Sequence, residues 1–135
     1  MMALGLALAP AANAAFTGAT SAATSFGTAT VTTPNAATVS VTPVCNRVKG
    51  ALSLTLTVSA TGPLPHANFL RVAVTSGTTT TKEQAVTDTG QYAVTAPQGT
   101  NSVTATYEIR GLYRPGASPT NAWLSTSALT GSASC

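Results

Sequence analysis

The stretch that decides the fold is Ala51–Ala60, which reads ALSLTLTVSA. Apolar and hydroxyl side chains alternate along it, so a pleated strand would place one set on each of its faces. The apolar set is Leu52, Leu54, Leu56 and Val58, and the hydroxyl set is Ser53, Thr55, Thr57 and Ser59. Strict alternation of this kind is typical of a strand with one buried face. The rest of the chain must therefore supply further strands that cover the Leu and Val side chains.

Other segments show similar alternation, and turn-forming residues separate them at intervals of about eight to twelve residues. The predicted strands are 35–44, 51–60, 68–76, 83–87, 91–95, 102–112 and 122–129. The intervening residues 46–50, 61–66, 77–82, 88–90, 97–101 and 114–121 are predicted turns or connections, and 131–135 a tail. This pattern predicts an all-β fold, a two-sheet antiparallel sandwich of about seven strands. Leu70, Val72, Val74 and the Val103 to Ile109 face are the expected cover for Ala51–Ala60.

From residue 35 onward the chain resembles an immunoglobulin-like or fibronectin type III domain. The matching features are Tyr107-Glu108-Ile109-Arg110 on the penultimate strand and Trp123-Leu124-Ser125 at the start of the last one. The resemblance implies an immunoglobulin-like sandwich over 35–135. The buried Trp that is typical of an early central strand in fibronectin type III domains is absent, and the terminal Cys135 does not match the inter-sheet cysteine of antibody domains.

The first fourteen residues, MMALGLALAPAANA, combine a short apolar run with Ala12-Asn13-Ala14, the small-x-small pattern of a signal-peptidase site. They predict a signal peptide cut after Ala14, and the alternative is a short buried helix. No segment approaches the ~20 apolar residues of a transmembrane helix. The predicted location is therefore outside the cell or on the surface of a bacterium.

Residues 15–34 form a predicted N-terminal arm. Phe16-Thr17-Gly18 and Ser25-Phe26-Gly27-Thr28 resemble the segment that follows the signal peptide in camelysin and TasA-type secreted fibre proteins. The resemblance implies an arm donated as a strand to a neighbouring subunit, with Phe16 and Phe26 as assembly residues. The alternative is an arm that packs on its own domain or stays mobile.

Cys45 and Cys135 are the two cysteines of the chain, and they fit one disulfide in an exported protein. Neither belongs to a Cys-x-x-Cys pair or lies near a histidine in sequence, so no metal or redox site is predicted. A bridge would close nearly the whole domain into one loop, which corresponds to stabilisation on the order of 4 kcal/mol. Two free thiols are the alternative.

Charge and chemistry-bearing residues are both scarce. Only 7% of residues are charged, with a net charge of +3, where roughly 25% is usual. The six cations are scattered rather than gathered in a stripe, which disfavours nucleic acid as a partner. His66 is the only histidine, and neither a nucleophile motif nor a phosphate-binding glycine loop occurs. We therefore expect a protein that is not an enzyme and needs no cofactor.

Two aromatic residues flank the predicted loop 114–121. Tyr113 and Trp123, with Arg114 between them, form the candidate ligand site, since sugar rings stack on exposed aromatic faces. The alternative is that both aromatics form the rim of the hydrophobic core.

The long strands Ala51–Ala60 and 102–106 carry no charge, although charged residues normally discourage exposed strands from pairing with another chain. The sequence therefore predicts a structural or interaction module of the bacterial cell surface or of a secreted fibre, which associates with itself or with another cell-envelope protein. The alternative is a small secreted glycan- or ligand-binding module.

Overall fold

The computed structural model of the chain describes residues 29–116 and 121–135. They form eight strands: β1 Val39–Val48, β2 Ala51–Ala60, β3 Phe69–Ser76, β4 Thr78–Ala85, β5 Thr89–Thr95, β6 Thr104–Tyr113, β7 Trp123–Leu124 and β8 Leu129–Ser134. The predicted signal peptide 1–14 and residues 15–28 of the predicted arm, with Phe16 and Phe26, lie outside the described residues.

The strands form two antiparallel sheets. The three-stranded sheet has the order β1-β2-β5, and the five-stranded sheet has the order β4-β3-β6. Both β7 and β8 pair with the remaining side of β6. The prediction of an all-β, two-sheet antiparallel sandwich is confirmed.

β2 is the centre of the three-stranded sheet, and its bounds match the predicted strand Ala51–Ala60. Leu54, Leu56 and Val58 are fully buried, while the hydroxyl side chains of β2 lie on the opposite face. The core cluster joins this apolar face to Val103, which directly precedes β6, and to residues of the five-stranded sheet, namely Leu70, Val72, Val74, Ala105 and Ile109. The expected cover for β2 is therefore confirmed.

The first hairpin extends further than predicted. β1 continues through Pro43 to Val48, and the turn consists only of Lys49 and Gly50, with φ of 52° and 86°. Positive φ at both central residues is the pattern of a type I′ turn, whose twist matches that of the flanking strands. The predicted strand end at residue 44 and turn 46–50 were therefore wrong, because Pro43 does not interrupt the pairing with β2.

Pro43 is tolerated because of where its missing N–H points. The Thr61 N–H donates to Thr38 O at 2.9 Å, which fixes the phase of the β1–β2 ladder. Since hydrogen-bonded pairs alternate along an antiparallel ladder, the backbone N–H and C=O of Thr42 point towards β2. The backbone nitrogen and C=O of Pro43 point away from it. A proline on the outer side of an edge strand removes no ladder bond.

The predicted connection 77–82 is instead part of a strand. β4 occupies Thr78–Ala85 and pairs with β3 through a tight turn at Gly77, whose φ is 78°. The hydroxyl oxygens of Thr75 and Thr79 lie 2.7 Å apart across the hairpin. The threonine run is thus a strand of high β-propensity rather than a loop.

The C-terminal prediction also needs correction. The predicted last strand 122–129 contains β7 and the first residue of β8, and most of the predicted tail 131–135 lies in β8. Between them the buried Ser125 hydroxyl accepts from the Gly111 N–H at 3.1 Å and donates to Ser127 O at 2.7 Å. These local hydrogen bonds stop β7 after two residues and turn the chain before β8 begins.

The Cys45–Cys135 disulfide is confirmed, with a Cα–Cα distance of 5.9 Å. Cys45 lies on β1 and Cys135 directly follows β8, so the bridge joins an edge of one sheet to an edge of the other. It closes this side of the sandwich.

A buried polar contact joins the two sheets near the opposite side. The Gln84 amide nitrogen on β4 donates to Val58 O and to Asp88 O, both at 3.1 Å, and its oxygen accepts from the Tyr92 hydroxyl at 2.5 Å. A Cβ at Gly90 would overlap the Gln84 side chain, so a larger residue there would displace the Gln84 amide from this contact. Burial raises the pKa of the Tyr92 phenol.

Candidate binding surfaces

Tyr113 and Trp123 form an exposed aromatic pair at one end of the five-stranded sheet. β6 ends at Tyr113, and the chain returns as β7 with Trp123 directly opposite. Their ring centroids are 5.9 Å apart with an interplanar angle of 32°. The two residues are 40% and 55% exposed and do not belong to the core cluster. The pairing of β6 with β7 thus brings together two of the three residues predicted for a ligand site.

A shallow cleft lies beside this pair, and Ala29, Val31 and His66 line the rest of it. His66 is exposed and occupies the third position of a turn in which the Ala67 N–H donates to Leu64 O at 3.0 Å. Pro65 precedes His66, and the φ of His66 is 61°. The turn therefore has the type II pattern, which usually places glycine at the position of His66. The turn holds the imidazole next to the aromatic pair.

Arg114, the third predicted ligand residue, is directed elsewhere. Its guanidinium Nη2 lies 2.6 Å from Glu83 Oε1, and its Cζ lies 5.3 Å from the centre of the Phe69 ring. Its backbone N–H donates to the Asn68 side chain at 2.8 Å. The structure therefore uses Arg114 to tie the end of β6 to β3 and β4, and it does not bring the guanidinium to the Tyr113–Trp123 pair.

The described part of the predicted arm, residues 29–34, packs on its own domain. The Thr32 hydroxyl donates to Pro65 O, and its backbone N–H donates to the same oxygen at 3.3 Å. A Cβ at Gly111 would overlap the Thr32 carbonyl, so the arm lies directly against β6. Donation of a strand to a neighbour remains a prediction for residues outside the described part.

The outer faces of the two sheets differ sharply in charge. We call the outer face of the three-stranded sheet the uncharged face, because none of its side chains is ionisable. Its residues, opposite in parity to the buried ones, are Ser40, Thr42, Val44, Asn46, Val48, Ala51, Ser53, Thr55, Thr57, Ser59, Thr89, Gln91, Ala93 and Thr95. Two of them, Val44 and Val48, are exposed apolar side chains.

The outer face of the five-stranded sheet carries the ion pairs. Arg71 lies between Glu83 and Arg110 in the register of the sheet, and Glu108 is on the same face. The Arg110 Nε lies 3.2 Å from Glu108 Oε1. The alternation of side chains along the strands thus gives the protein one charged and one uncharged outer face.

Comparison of the chain with protein-family models, with curated proteins and with solved structures finds no match.

In residues 29–116 and 121–135, no three His, Cys, Asp or Glu side chains gather as ligands for a metal ion. The same part of the chain contains no long apolar helix of the kind that crosses a lipid bilayer.

Sequence reasoning missed the Gln84–Tyr92 contact because it placed Gln84 in a short strand, 83–87, and assigned residues 77–82, where β4 begins, to a connection. With β4 recognised as a strand, the pairing of Leu70 with Gln84 would have placed this glutamine on the buried side. The alternation of β4, in which only Gln84 is buried, gives too little apolar signal to reveal it.

Proposed function

We propose that the chain is an exported structural or interaction module of the bacterial cell surface or of a secreted fibre, which associates with itself and has no enzymatic role. The uncharged face carries this proposal. Charged side chains on a sheet normally oppose its association, and here all three strands of one sheet lack them on the outer side. The exposed Val44 and Val48 add apolar surface for a partner to cover.

We also infer that the sandwich is of the fibronectin type III-like kind. Constant-type immunoglobulin domains place their fourth strand in the sheet of the first, second and fifth strands. Here β4 pairs with β3 in the other sheet, which supports the fibronectin-like alternative.

Export is supported by the Cys45–Cys135 disulfide, because such bridges persist in oxidising compartments. Expression of the full chain in a bacterium, followed by N-terminal sequencing of the product, tests it. We expect protein outside the cytoplasm that begins at Ala15, whereas an uncleaved cytoplasmic product would contradict export through this segment.

Self-association is tested by light scattering and sedimentation of the exported protein over a wide range of concentration and salt. We expect an average mass that rises with concentration and persists in salt, because the uncharged face has no ion pairs to screen. A strict monomer at every concentration would contradict the proposal. Dissociation by salt would assign the contact to the charged outer face and contradict the role of the uncharged one.

A second candidate function, glycan or ligand binding, is favoured by the exposed Tyr113–Trp123 pair beside His66. A glycan array tests it with the wild type, Trp123→Ala and the control Val48→Ala, which truncates another exposed apolar side chain. Binding that Trp123→Ala alone abolishes would support a sugar site. The absence of any wild-type signal, or loss in both variants, would contradict it.

A further inference from the structure

The two sheets present four long outer strands, and they differ in how they are protected against pairing with another chain. Edge strands are normally protected by proline, by charged side chains or by coverage. β1 carries Pro43 and Arg47, and β4 carries Lys82 and Glu83. β5, which reads TGQYAVT, and β8, which reads LTGSAS, carry neither proline nor charge.

The disulfide covers part of the outer edge of β8. The Cys135 N–H donates to Val103 O at 2.9 Å, so the alternation of the ladder directs the backbone groups of Ser134 away from β6. The carbonyl oxygen of Ser134 lies 3.9 Å from Cys45 Sγ. A strand that approached this edge would meet the disulfide and β1.

The outer edge of β5 is open in the described part of the chain. The Ala96 N–H donates to Leu52 O at 2.8 Å, so Tyr92 and Val94 are bonded to β2. By alternation, the backbone N–H and C=O groups of Gln91, Ala93 and Thr95 point away from the sheet. None of the eight described strands pairs with this side of β5.

We propose that β5 pairs antiparallel with β5 of a second copy of this chain, about a two-fold axis next to Ala93. Gln91, Ala93 and Thr95 would face Thr95, Ala93 and Gln91 of the second copy, and each of these pairs would exchange two N–H···O bonds. The small Ala93 side chain is then opposite itself, and none of the paired β5 residues is charged. The strand is therefore self-complementary, which is what a two-fold interface requires.

This inference rests on the proposed self-association and names the contact that produces it. Pairing at β5 would extend the three-stranded sheet into a six-stranded one, with β1 of each copy at its outer ends. The uncharged faces of the two copies would then form one continuous surface.

A lysine at Ala93 tests the interface. In Ala93→Lys two ammonium groups would face each other at the two-fold axis, so we expect the dimer dissociation constant to rise at least about tenfold, equivalent to 1.4 kcal/mol. Thr55→Lys is the matched control, because Thr55 is directly opposite Ala93 on β2, on the same face but away from the edge. Thr106→Lys adds the same charge to the outer face of the other sheet. Thr106→Lys should associate like the wild type, whereas Thr55→Lys, which adds a charge to the uncharged face, should weaken association less than Ala93→Lys does.

The outcomes separate the inference from the function on which it rests. A wild type that stays monomeric contradicts both. If the wild type associates and Ala93→Lys associates equally well, pairing through β5 is contradicted and self-association stands. The same conclusion follows if Thr55→Lys weakens association as much as Ala93→Lys does. Circular dichroism and thermal unfolding of each variant show whether it is folded.

Cross-linking tests the register directly. Under mild oxidation Ala93→Cys should form a covalent dimer, because the two Ala93 residues face each other, whereas Thr106→Cys should not. A mixture of Gln91→Cys and Thr95→Cys chains should give mixed dimers in excess over self-dimers of either chain. Failure of Ala93→Cys to cross-link in samples that associate, or equal cross-linking of Thr106→Cys, would overturn the proposed pairing.

Discussion

At the scale of single residues, the hydrogen bond between Tyr92 and Gln84 is a buried polar contact that joins the two sheets. Tyr92→Phe would leave the buried Gln84 oxygen without this donor, so we expect the free energy of unfolding to fall by about 1 to 3 kcal/mol. Denaturant unfolding measures the loss. The exposed Tyr113→Phe should change stability by less than about 0.5 kcal/mol, and an equal loss in both variants would contradict this account.

The same residue sets an alkaline limit to stability. Burial raises the pKa of Tyr92 above its ordinary value of 10.0, so from that pH upward the unfolded phenol loses its proton while the folded one keeps it. The unfolded state is then favoured, and stability should fall as pH rises from about 10 through the folded-state pKa. Unfolding curves from pH 8 to 11 should show a shallower decline for Tyr92→Phe than for wild type and Tyr113→Phe. Equal slopes in the three proteins would contradict it.

His66 has a backbone conformation that favours glycine. Its φ of 61° is unusual for a residue with a side chain, and its side chain is exposed. His66→Gly should therefore leave the free energy of unfolding unchanged or raise it by up to about 1 kcal/mol. Glycine relieves the strain of the left-handed conformation, and its greater backbone entropy in the unfolded chain offsets part of that gain. Asn101→Gly, at an exposed position without positive φ, should lower stability by about 0.5 to 1 kcal/mol. Thermal unfolding compares them, and a clear loss in His66→Gly would show that the imidazole itself stabilises the turn.

At the scale of elements, β1 shows that the position of a proline in the ladder matters more than its presence in a strand. Thr42→Pro would remove an N–H that faces β2, so we expect a loss of at least about 1 to 3 kcal/mol. Pro43→Thr should be close to neutral for stability, because it adds an N–H that faces away from β2, and it should increase aggregation at this edge. Chemical unfolding and light scattering test the pair. Similar losses of stability in both variants would contradict the assigned phase of the ladder.

At the scale of the whole molecule, the disulfide links the two sheets across a sequence separation of 90 residues. A loop of this length corresponds to about 4 kcal/mol of stabilisation through the unfolded chain. The double variant Cys45→Ala/Cys135→Ala should keep its β-sheet circular dichroism and lose most of that free energy in urea unfolding. Reduction of the wild type should give the same midpoint, and a loss below about 1 kcal/mol would contradict the entropic account.

The alternation of β2 was enough to predict much of the architecture from sequence. Period-two alternation identifies the buried side chains wherever a strand has an apolar face, as in Ala51–Ala60 and β3. The threonine run of β4 has no such face, and its strand became visible only through pairing with β3. The continuation of β1 past Pro43 and the stop after β7 depended on individual hydrogen bonds, which no periodicity encodes.

The sequence by itself predicted the fold class and the apolar face of β2 with its cover, because both follow from alternation along the chain, and it predicted the Cys45–Cys135 bridge because the chain holds two cysteines. Only the tertiary structure decided which surfaces those strands leave outside. It placed Tyr113 against Trp123, directed Arg114 to Glu83, separated the charged outer face from the uncharged one and left β5 at an edge. These features depend on which strands become neighbours, and that is settled by contacts between residues far apart in the chain.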